Sequence, residues 1–502
     1  MKKHLSIILT LLIFISCNSN TPKIYLGQGI MSGEISTNSV ILQSRLTQSD
    51  TLINNDLPGI HGFAMFEIAS DVGFTNSKRT KLLEAIPDND FIIKKKISGL
   101  ESNTNYYYRV LFGENKDDLE ESETGTFRTL PGAENSAKVS FAVVTGMNYY
   151  HFHYGKYNRD KAYTGIDKEL GYPALVAIKS LKPDYFIGTG DNVYFDHPAK
   201  SGFDKAVEKG DNPHPGIFGG VEVTDKAGLR QKYHVQFMQQ RFKDLFANVG
   251  TYWEKDDHDY RLNDADPYTE FPISHELGIS SFREQVPVVD MEDKNAKTYR
   301  TYRMNKDVQI WMLEGRDYRS ANSDPVGKEK TLLGKEQIEW LKNSLLKSEA
   351  SFKLIVSPTP MVGPDDMYKK DNHVNPQGFK HEGDELFAWF KENSFLENNL
   401  YIICGDRHWK YHAMHPSGFE EFSTGALVDN NSRAGRVAGD KDSTDPNAEI
   451  KQFFVEGTPE SASGGFLLVE VERQNDIPTL TIGFYDEHKK LLYRSIKKPN
   501  KY

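Results

Sequence analysis

The stretch DYFIGTGDNVYFD, residues 184–196, couples an apolar strand to a polar loop. Tyr185, Phe186 and Ile187 are apolar in succession, which is typical of a strand buried on both faces in a parallel sheet. The chain then turns at two glycines and presents Asp191. In layered α/β proteins, ligands bind beyond the carboxyl ends of such strands. The stretch therefore predicts a strand whose end carries functional residues.

The same pattern recurs through the second part of the chain. Strand-like apolar runs occupy residues 139–144, 309–313, 352–356 and 400–404. Helical patterns lie between them at 174–181 and at 335–347, where Ile338, Leu341 and Leu345 share one face. Apolar strands that alternate with helices predict an α/β fold, with a layered sheet covered by helices. Late strands are expected near residues 465–471 and 478–484.

Two further segments place acids and histidines together. The run at 400–404 leads into GDRH, residues 405–408, in which Asp406 and His408 are close enough in sequence to share one centre. WEKDDHDY, residues 253–260, is the third such segment. Carboxylate oxygens and imidazole nitrogens suit a dinuclear site of Zn, Mn, Fe or Ca. Asp191 could bridge two ions, and two ions about 3.5–4 Å apart can activate a water molecule and stabilise a transferring anion.

Each of these segments also has an ordinary explanation. A Gly-Asp pair after a strand is usually only a turn. The cluster at residues 256–259 could be a solvated acidic loop. Three such segments in one chain favour a common site.

The N-terminal part of the chain has a different pattern. Short β-prone runs recur every 10–15 residues between about 24 and 130 without a long helical pattern, which predicts a β-sandwich. Residues 131–137, PGAENSA, are interpreted as a linker. The basic stretches 94–96 and 489–501 are expected to be exposed to solvent.

The first seventeen residues, MKKHLSIILTLLIFISC, indicate export. Two lysines precede an apolar run that is too short for a membrane-spanning helix of about 20 residues. The sequence FISC, residues 14–17, resembles a lipobox, so Cys17 is predicted to carry the lipid of a bacterial lipoprotein anchored in the cell envelope, in the periplasm or at the outer membrane. An ordinary signal peptide with an incidental cysteine is the alternative. With Cys17 lipidated, Cys404 has no disulfide partner and is expected to be a buried strand residue.

Composition excludes some classes of function. The chain has 502 residues, a formal net charge of −10, 38% hydrophobic and 26% charged residues, which is typical of a soluble globular protein. The acidic balance argues against a nucleic-acid partner, because nucleic-acid-binding proteins usually present a basic face. The oligomeric state is left open.

Several strings resemble the alkaline phosphatase D (PhoD-like) family of metallophosphoesterases. They are GIMSGEISTNSVILQSRL (29–46), GDNVYFD (190–196), WEKDDHDYRLNDAD (253–266), LEGRDYRS (313–320) and GDRHWKYHA (405–413). The resemblance implies a four-layer α/β/β/α metallophosphoesterase sandwich preceded by a fibronectin type III-like β-sandwich. The implied division is a lipoprotein signal peptide at 1–17, the N-terminal sandwich at 18–134 and the catalytic domain at 135–502.

The resemblance also implies roles for individual residues. Metal or near-metal ligands would be Asp191, Tyr194, Asp257, Asn263, Asp406 and His408. His258 would be catalytic, contacting the ester oxygen or protonating the leaving group. Asn148 and Arg316 would contact the substrate, Arg316 by steadying its anion; the alternative for Arg316 is a surface charge in a loop.

Two departures from the family pattern stand out. The family places a Cys ligand after the first catalytic strand, where this chain has Gly146. Asn148, His151 or His153 could replace that ligand, or their aromatic loop could simply be pocket wall. The string LEGR with Glu314 replaces the more usual Leu-Asp-Thr-Arg. Both departures indicate a divergent branch of the family.

The expected function is hydrolysis of a phosphate mono- or diester, small-molecule or glycan, by a metal-activated water, with two or more metal ions. One alternative is a metal-dependent sulfate-ester hydrolase that acts on a polysaccharide, since a sulfate ester has a similar anionic transition state. Another is a non-catalytic surface lipoprotein that binds a glycan or a metal.

Overall fold

The computed structural model describes residues 23–157, 162–293 and 295–500. The predicted signal peptide and Cys17 lie outside these ranges, so the lipoprotein assignment stays a prediction.

The strands fall into an N-terminal and a C-terminal set. The N-terminal set is β1 (Ile30–Gly33), β2 (Ser39–Arg45), β3 (Gly62–Ala69), β4 (Lys78–Arg79), β5 (Leu83–Ala85), β6 (Ile92–Ser98), β7 (Asn105–Asn115), β8 (Asp118–Glu121) and β9 (Gly125–Arg128). The C-terminal set is β10 (Val139–Val144), β11 (Tyr185–Thr189), β12 (Gly250–Glu254), β13 (Arg300–Arg303), β14 (Val308–Met312), β15 (Phe352–Ser357), β16 (Leu400–Cys404), β17 (Lys410–Met414), β18 (Glu420–Thr424), β19 (Lys451–Val455), β20 (Gly465–Gln474), β21 (Ile477–Asp486) and β22 (Leu491–Lys497).

The α-helices of the described residues all follow β10. They are α1 (Tyr149–Tyr154), α2 (Pro173–Leu181), α3 (Lys200–Glu208), α4 (Lys226–Phe237), α5 (Gln240–Phe246), α6 (His275–Gln285), α7 (Lys335–Leu346) and α8 (Lys380–Glu392). No helix within the described ranges has the length and apolar character that crossing a bilayer requires.

The strands form three sheets. The nine-stranded sheet has the order β22-β21-β20-β10-β11-β12-β1-β2-β6, and the seven-stranded sheet has the order β13-β14-β15-β16-β18-β17-β19. The six-stranded sheet has the order β4-β3-β7-β8, with β5 paired to β3 and β9 to β7. Strands β10, β11 and β12 are parallel to one another, as are β14, β15 and β16. The predicted mixture of α/β layers and a β-rich N-terminal part is confirmed.

Successive residues of the buried strands pack in opposite directions, as the two-residue period of a strand requires. Phe141 of the nine-stranded sheet and Leu354 of the seven-stranded sheet belong to one hydrophobic cluster. Ala142 lies in a second cluster with side chains of α2, α4, α5 and α6. Ile355 lies in a third cluster with side chains of α7 and α8. This double burial explains why these strands are apolar in nearly every position.

A continuous sheet joins the N-terminal part of the chain to its C-terminal part. Strand β1 pairs in parallel with β12, with Gly33 opposite Thr251, and the Thr251 hydroxyl donates to the carbonyl of Ser32 at 2.7 Å. Arg300 forms a two-pronged ion pair with Glu34. The predicted linker near residues 131–137 therefore lies between two regions of the sequence that both contribute strands to the same sheet.

The prediction that the two basic stretches are exposed holds in part: Lys96, Lys489 and Lys490 are exposed, whereas Lys94 is not. Lys94 is buried, because its ammonium group donates to the carbonyls of Arg283, Glu284 and Val286 at the end of α6. The basic C-terminal stretch contains β22, which pairs with β21 at the edge of the nine-stranded sheet. The prediction for Cys404 is confirmed, because its side chain is buried in β16.

The two large sheets approach closely at their carboxyl ends. At Gly405, the residue after β16, an added Cβ would lie 2.5 Å from the carbonyl oxygen of Thr189 in β11 and 2.9 Å from that of Pro358. Because both neighbours are backbone atoms, neither can move aside cheaply. Glycine is therefore required here to bring the ends of β11 and β16 together.

We expect Gly405→Ala to destabilise the protein by about 1–3 kcal/mol, the cost of overpacking a dense core. Gly73→Ala is the matched control, because an added Cβ there would meet nothing closer than 3.3 Å. Urea unfolding of both variants gives the comparison. Equal stability of the two variants would contradict the close approach at Gly405.

Candidate metal centre

The three predicted polar segments converge at the carboxyl ends of β11, β12 and β16. Asp191 and Asp406 each stand two residues beyond a strand, and both have left-handed backbone conformations, with φ values of 53° and 58°. Non-glycine residues rarely adopt such values, and when they do they cluster at functional sites. Strand β12, which the sequence reading did not identify, ends immediately before the segment that contains Asp257 and His258.

Asp191, Tyr194 and His408 form the centre of the site. The Tyr194 hydroxyl donates to Oδ2 of Asp191 at 2.8 Å. Nε2 of His408 lies 3.1 Å from the same carboxylate oxygen and 3.2 Å from the Tyr194 hydroxyl. The structure therefore brings together residues from two different sheets that the sequence assigned to one centre.

His258 connects this centre to a second carboxylate. Its Nδ1 atom lies 2.7 Å from Oδ1 of Asp196. A ring nitrogen of His258 and carboxylate oxygens of Asp191 and Asp257 all lie within 4.8 Å of one another. Burial opposes the charged form, but Asp196, Asp257 and Asp191 together raise the pKa of His258 well above its ordinary value. These three carboxylates therefore favour the protonated form of the imidazole.

Asp406 lies at the same site beside Arg407. The Arg407 guanidinium forms ion pairs with both Asp406 and Asp365. Burial raises the pKa of Asp406 despite the neighbouring cation. The negative charge of Asp406 is also one of the influences that raise the pKa of Asp191, after burial itself.

Arg316 is fully buried, so its interpretation as a surface charge is wrong. Its guanidinium donates to Oδ1 of Asp256 at 2.5 Å and to the carbonyl of Ala265 at 2.9 Å. It also lies 3.1 Å from Oδ2 of Asp371 and 3.9 Å from Oδ2 of Asp257. Arg316 is thus a cation enclosed by carboxylates, and its contact with substrate stays a prediction.

Asn263 stands at the rim of the site. Its backbone N–H donates to Oδ2 of Asp196 at 2.9 Å, while its side chain is exposed. The neighbouring Asp264 has the more central position, because its carboxylate lies within 4.8 Å of those of Asp257 and Asp371. The assignment of Asn263 as a ligand stays a prediction.

Gly146 stands where the resemblance predicts a cysteine ligand, and it has no room for a side chain. Gly146 has a φ of +68°, and an added Cβ would lie 2.8 Å from Cβ of Ala426 and 3.3 Å from Nδ2 of Asn431. That Asn431 amide instead donates to the Tyr194 hydroxyl at 2.9 Å. Nδ1 of His151 lies 2.8 Å from the Asn431 amide oxygen. The space beside Gly146 is therefore filled by an amide that holds Tyr194.

The other two candidates for that ligand lie in the helix α1 region. The Asn148 oxygen caps α1 by accepting from the N–H of His151, and its Nδ2 lies 2.7 Å from Nδ1 of His197. Nε2 of His153 lies 3.3 Å from the Gln239 amide oxygen. Both side chains thus contact other residues of the protein. These contacts do not test the substrate-binding role of Asn148, which stays a prediction.

Asp259 fixes the two main loops relative to each other. Its carboxylate accepts from the backbone N–H groups of Asp191, Asn192 and Asp256 at 3.2, 3.1 and 2.7 Å. It also accepts from the Asn192 side chain at 2.6 Å. One buried carboxylate thus sets the geometry of the loops after β11 and β12.

The residues at the centre fit metal ions. Oδ1 of Asp191, Oδ2 of Asp256 and Oδ1 of Asp371 are buried and make no hydrogen bond among the described residues. Leaving a buried carboxylate oxygen unpaired is costly unless a cation satisfies it. Burial, reinforced by Asp257 and Asp259, raises the pKa of Asp191 well above its ordinary value, and a bound cation would remove this penalty.

Sequence reasoning missed several residues of the site. They are Asp196, His197, Asp259, Asp264, Lys369, Asp371 and Asn431. Asp196, Asp259 and Asp264 stand inside the quoted strings, so their acidic spacing was a usable signal. Lys369, Asp371 and Asn431 lie far from any predicted strand end, and the sequence carries no pattern that would single them out.

Comparison with known proteins identifies the family. The model of the PhoD-like phosphatase family matches residues 141–467, and the model of its N-terminal domain matches residues 15–131. The chain belongs to the PhoD-like phosphatase family. The predicted resemblance is therefore confirmed.

Individual relatives of this PhoD-like phosphatase are distant. Alkaline phosphatase D of Bacillus subtilis (strain 168) is 25% identical over 429 residues, which span 79% of this chain and 66% of the relative. The structure of a PhoD covers 94% of this chain and 89% of its own, with a TM-score of 0.68 at 20% identity. A purple acid phosphatase from yellow lupin (Lupinus luteus) seeds covers 93% of this chain and 73% of its own, with a TM-score of 0.56 at 10% identity. The last two similarities establish the fold.

We expect Asp259→Asn to lower the free energy of unfolding by about 1–3 kcal/mol, because an amide cannot accept from all four donors that Asp259 serves. The same variant should bind metal more weakly, since the loops that carry Asp191 and Asp256 lose their common anchor. Asp293→Asn is the control, because Asp293 is exposed and caps only a local turn. Chemical denaturation and metal titration of the two variants test this; identical behaviour would contradict the anchoring role.

Proposed function

We propose that this PhoD-like phosphatase is a metal-dependent phosphoesterase that hydrolyses phosphate monoesters or diesters. The observation that carries the proposal is the contact between Asp191, Tyr194 and His408 at the junction of the two sheets, with Oδ1 of Asp191 buried and unpaired. Membership of the family supports the reaction class.

The chain's own residues divide into two roles. Asp191, Tyr194, Asp257, Asp406 and His408 would hold the metal ions, with oxygen and imidazole donors that suit Zn, Mn, Fe or Ca. Ions bound by such ligands supply Lewis acidity and lower the pKa of water. The protein holds these ligands in a largely buried junction between two sheets, where charges interact more strongly than in water.

His258 is the proposed proton donor to the leaving group. Asp196 holds Nδ1 of the imidazole, so Nε2 is the ring nitrogen that can transfer a proton. The neighbouring carboxylates raise the pKa of His258, which favours the protonated ring that a general acid requires. Asp196 orients the ring and stabilises its charge without contacting the substrate.

The finer architecture and the cellular site belong to the same proposal. We propose a four-layer α/β/β/α sandwich at 135–502, supported by the two sheets that share one cluster and the helices on their outer faces. Residues 18–134 would be the fibronectin type III-like module. A lipid on Cys17, after a signal peptide at 1–17, would anchor the enzyme in the cell envelope, which the sequence FISC at 14–17 supports.

Asp191→Ala and Asp406→Ala should abolish phosphoester hydrolysis while the fold is retained, because each removes a ligand from the centre. Steady-state rates and circular dichroism on the same samples measure the two properties. Exposed Asp384→Ala, which loses only a surface ion pair, is the control. Folded variants that keep their activity would refute the ligand assignment.

His258→Asn should slow hydrolysis of alkyl phosphates more than hydrolysis of nitrophenyl phosphates, by a factor within the 10²–10⁴ typical of general acid catalysis. A nitrophenolate leaves without a proton, whereas an alkoxide requires one. Asp196→Asn should show the same leaving-group dependence to a smaller degree. An equal loss for both leaving groups would assign His258 to metal binding rather than to proton donation.

The test of the whole proposal is a substrate panel with metal content determined on the same purified protein. The panel contains a phosphate monoester, a phosphodiester and a sulfated glycan. Hydrolysis of the phosphate esters, followed by release of the alcohol from each, should be lost on chelation and restored by added ions, and the ratio of the monoester rate to the diester rate defines the preference. Release of sulfate alone would replace the proposal with the polysaccharide sulfatase, and a metal-free inert protein would favour a binding scaffold.

A further inference from the structure

His408 is the most exposed of the side chains proposed as metal ligands. Its side chain is 17% exposed, whereas those of Asp191, Asp257 and Asp406 are buried almost completely. Tyr194 is buried as well. A substrate is therefore expected to reach the centre from the side of His408, and the charged groups on that side are the first that it meets.

Arg433 is a direct neighbour of His408. Its backbone N–H donates to the carbonyl of His408 at 3.0 Å. Burial lowers the pKa of His408 well below its ordinary value, and the positive charge of Arg433 is the next largest cause of that shift. The guanidinium group is thus close enough to the proposed ligand to act on it electrostatically.

The other cations near the centre are enclosed by the protein. Arg407 and Lys369, whose charges also act on His408, are buried, and each is paired with a carboxylate. Arg316, to which the sequence assigned the substrate anion, is fully buried. In contrast, 43% of the Arg433 side chain is exposed. Of these four cations, Arg433 alone can meet a dissolved anion without a rearrangement of the protein.

The guanidinium group of Arg433 is held in place by two contacts. Its Nη2 atom donates to Oδ2 of Asp366 at 2.9 Å, and the Asp366 side chain is buried. The group also lies over the ring of Trp409, with Cζ 4.4 Å from the ring centroid. A cation that is fixed before the anion arrives loses less conformational entropy on binding. The planar guanidinium group also matches the spacing of phosphate oxygens.

We propose that Arg433 binds an anionic oxygen of the substrate's phosphoryl group, which is the role that the resemblance implied for Arg316. The inference rests on the proposed function, because it takes a phosphate ester as the substrate of the Asp191 centre. Arg433 is a substrate-binding residue in this proposal, with no part in metal coordination or proton transfer.

Arg436 offers a matched control for Arg433. Its Nε atom donates to Oδ1 of the same Asp366 at 2.6 Å, and its side chain is partly exposed. It is not among the main charges that act on His408. A substitution of Arg436 therefore removes an ion pair with Asp366 and leaves the cation beside His408 in place.

Arg433→Met is the direct test, with Arg436→Met as the control. The measurements are KM and kcat for a phosphate monoester and the inhibition constant of inorganic phosphate. We expect Arg433→Met to raise KM and the inhibition constant together by about 10–100-fold, the contribution of a hydrogen bond to a charged group. The kcat should change little, because the lost contact is made equally with the bound substrate and the transition state. Arg436→Met should behave as the wild type, and Arg433→Lys, which keeps the charge, should recover part of the affinity.

Calorimetric titration of the metal-loaded protein with inorganic phosphate gives a readout that does not depend on turnover. Arg433→Met should bind phosphate more weakly than the wild type by the same factor, at an unchanged metal content, whereas Arg436→Met should match the wild type. The melting temperature of each variant without phosphate shows whether the fold is retained. Arg433→Gln, which keeps a hydrogen-bond donor without the charge, serves if the Met variant does not fold.

The outcomes separate this inference from the proposed function. Unchanged KM and phosphate affinity in Arg433→Met, or equal losses in Arg433→Met and Arg436→Met, would overturn the role of Arg433 and leave the phosphoesterase intact. A wild type that binds phosphate through Arg433 but hydrolyses no phosphate ester would support the anion site and overturn the proposed function. A wild type that neither binds phosphate nor hydrolyses its esters would overturn both.

Discussion

The close approach of the two large sheets at the carboxyl ends of β11 and β16 is the constraint on which the rest of the structure depends. Gly405 brings the end of β16 against the backbone of Thr189 at the end of β11. Asp191 and His408 follow these two residues in sequence, and their side chains meet at 3.1 Å. A Cβ at position 405 would separate the two ends and with them the two halves of the centre. The chemistry of the site is therefore a consequence of backbone packing as much as of ligand identity.

Many carboxylates are buried together where the two sheets meet, and their negative charges repel one another. Three arrangements in the chain offset this repulsion. Asp259 is satisfied by hydrogen bonds from four donors of the adjacent loops. Asp256 and Asp371 are paired with the buried Arg316. Asp191 retains an oxygen without a hydrogen bond among the described residues, which is the arrangement expected of a residue reserved for an external cation. Internal cations and hydrogen bonds thus satisfy part of the carboxylate group, and the unpaired oxygens of Asp191, Asp256 and Asp371 are left for an external cation.

Sequence reasoning reached the α/β class, the main buried strands and the residues that meet at the centre because each leaves a local pattern. A strand buried on both faces is apolar along its length, and a site at its end is marked by acids after glycine. Strand β12 was missed because its residues, GTYWE at 250–254, are short and of mixed polarity. Lys94 was misjudged because a run of lysines is normally solvated, and only the tertiary structure reveals the three carbonyls that receive its ammonium group. Lys369 and Asn431 reach the site through long-range packing, for which one sequence holds no signal.

Gly146, which stands where the resemblance predicts a cysteine, also determines which side chains lie at the centre. The left-handed backbone of Gly146 and the contact with Ala426 exclude a side chain, and the Asn431 amide occupies the adjoining space. Asn431 donates to the Tyr194 hydroxyl, so it holds that phenol beside Asp191. The remaining donors are carboxylate, phenol and imidazole, which favour hard or borderline ions over those that require sulfur. Gly146, Ala426 and Asn431 therefore act together, because the glycine leaves the space that the alanine and the amide fill.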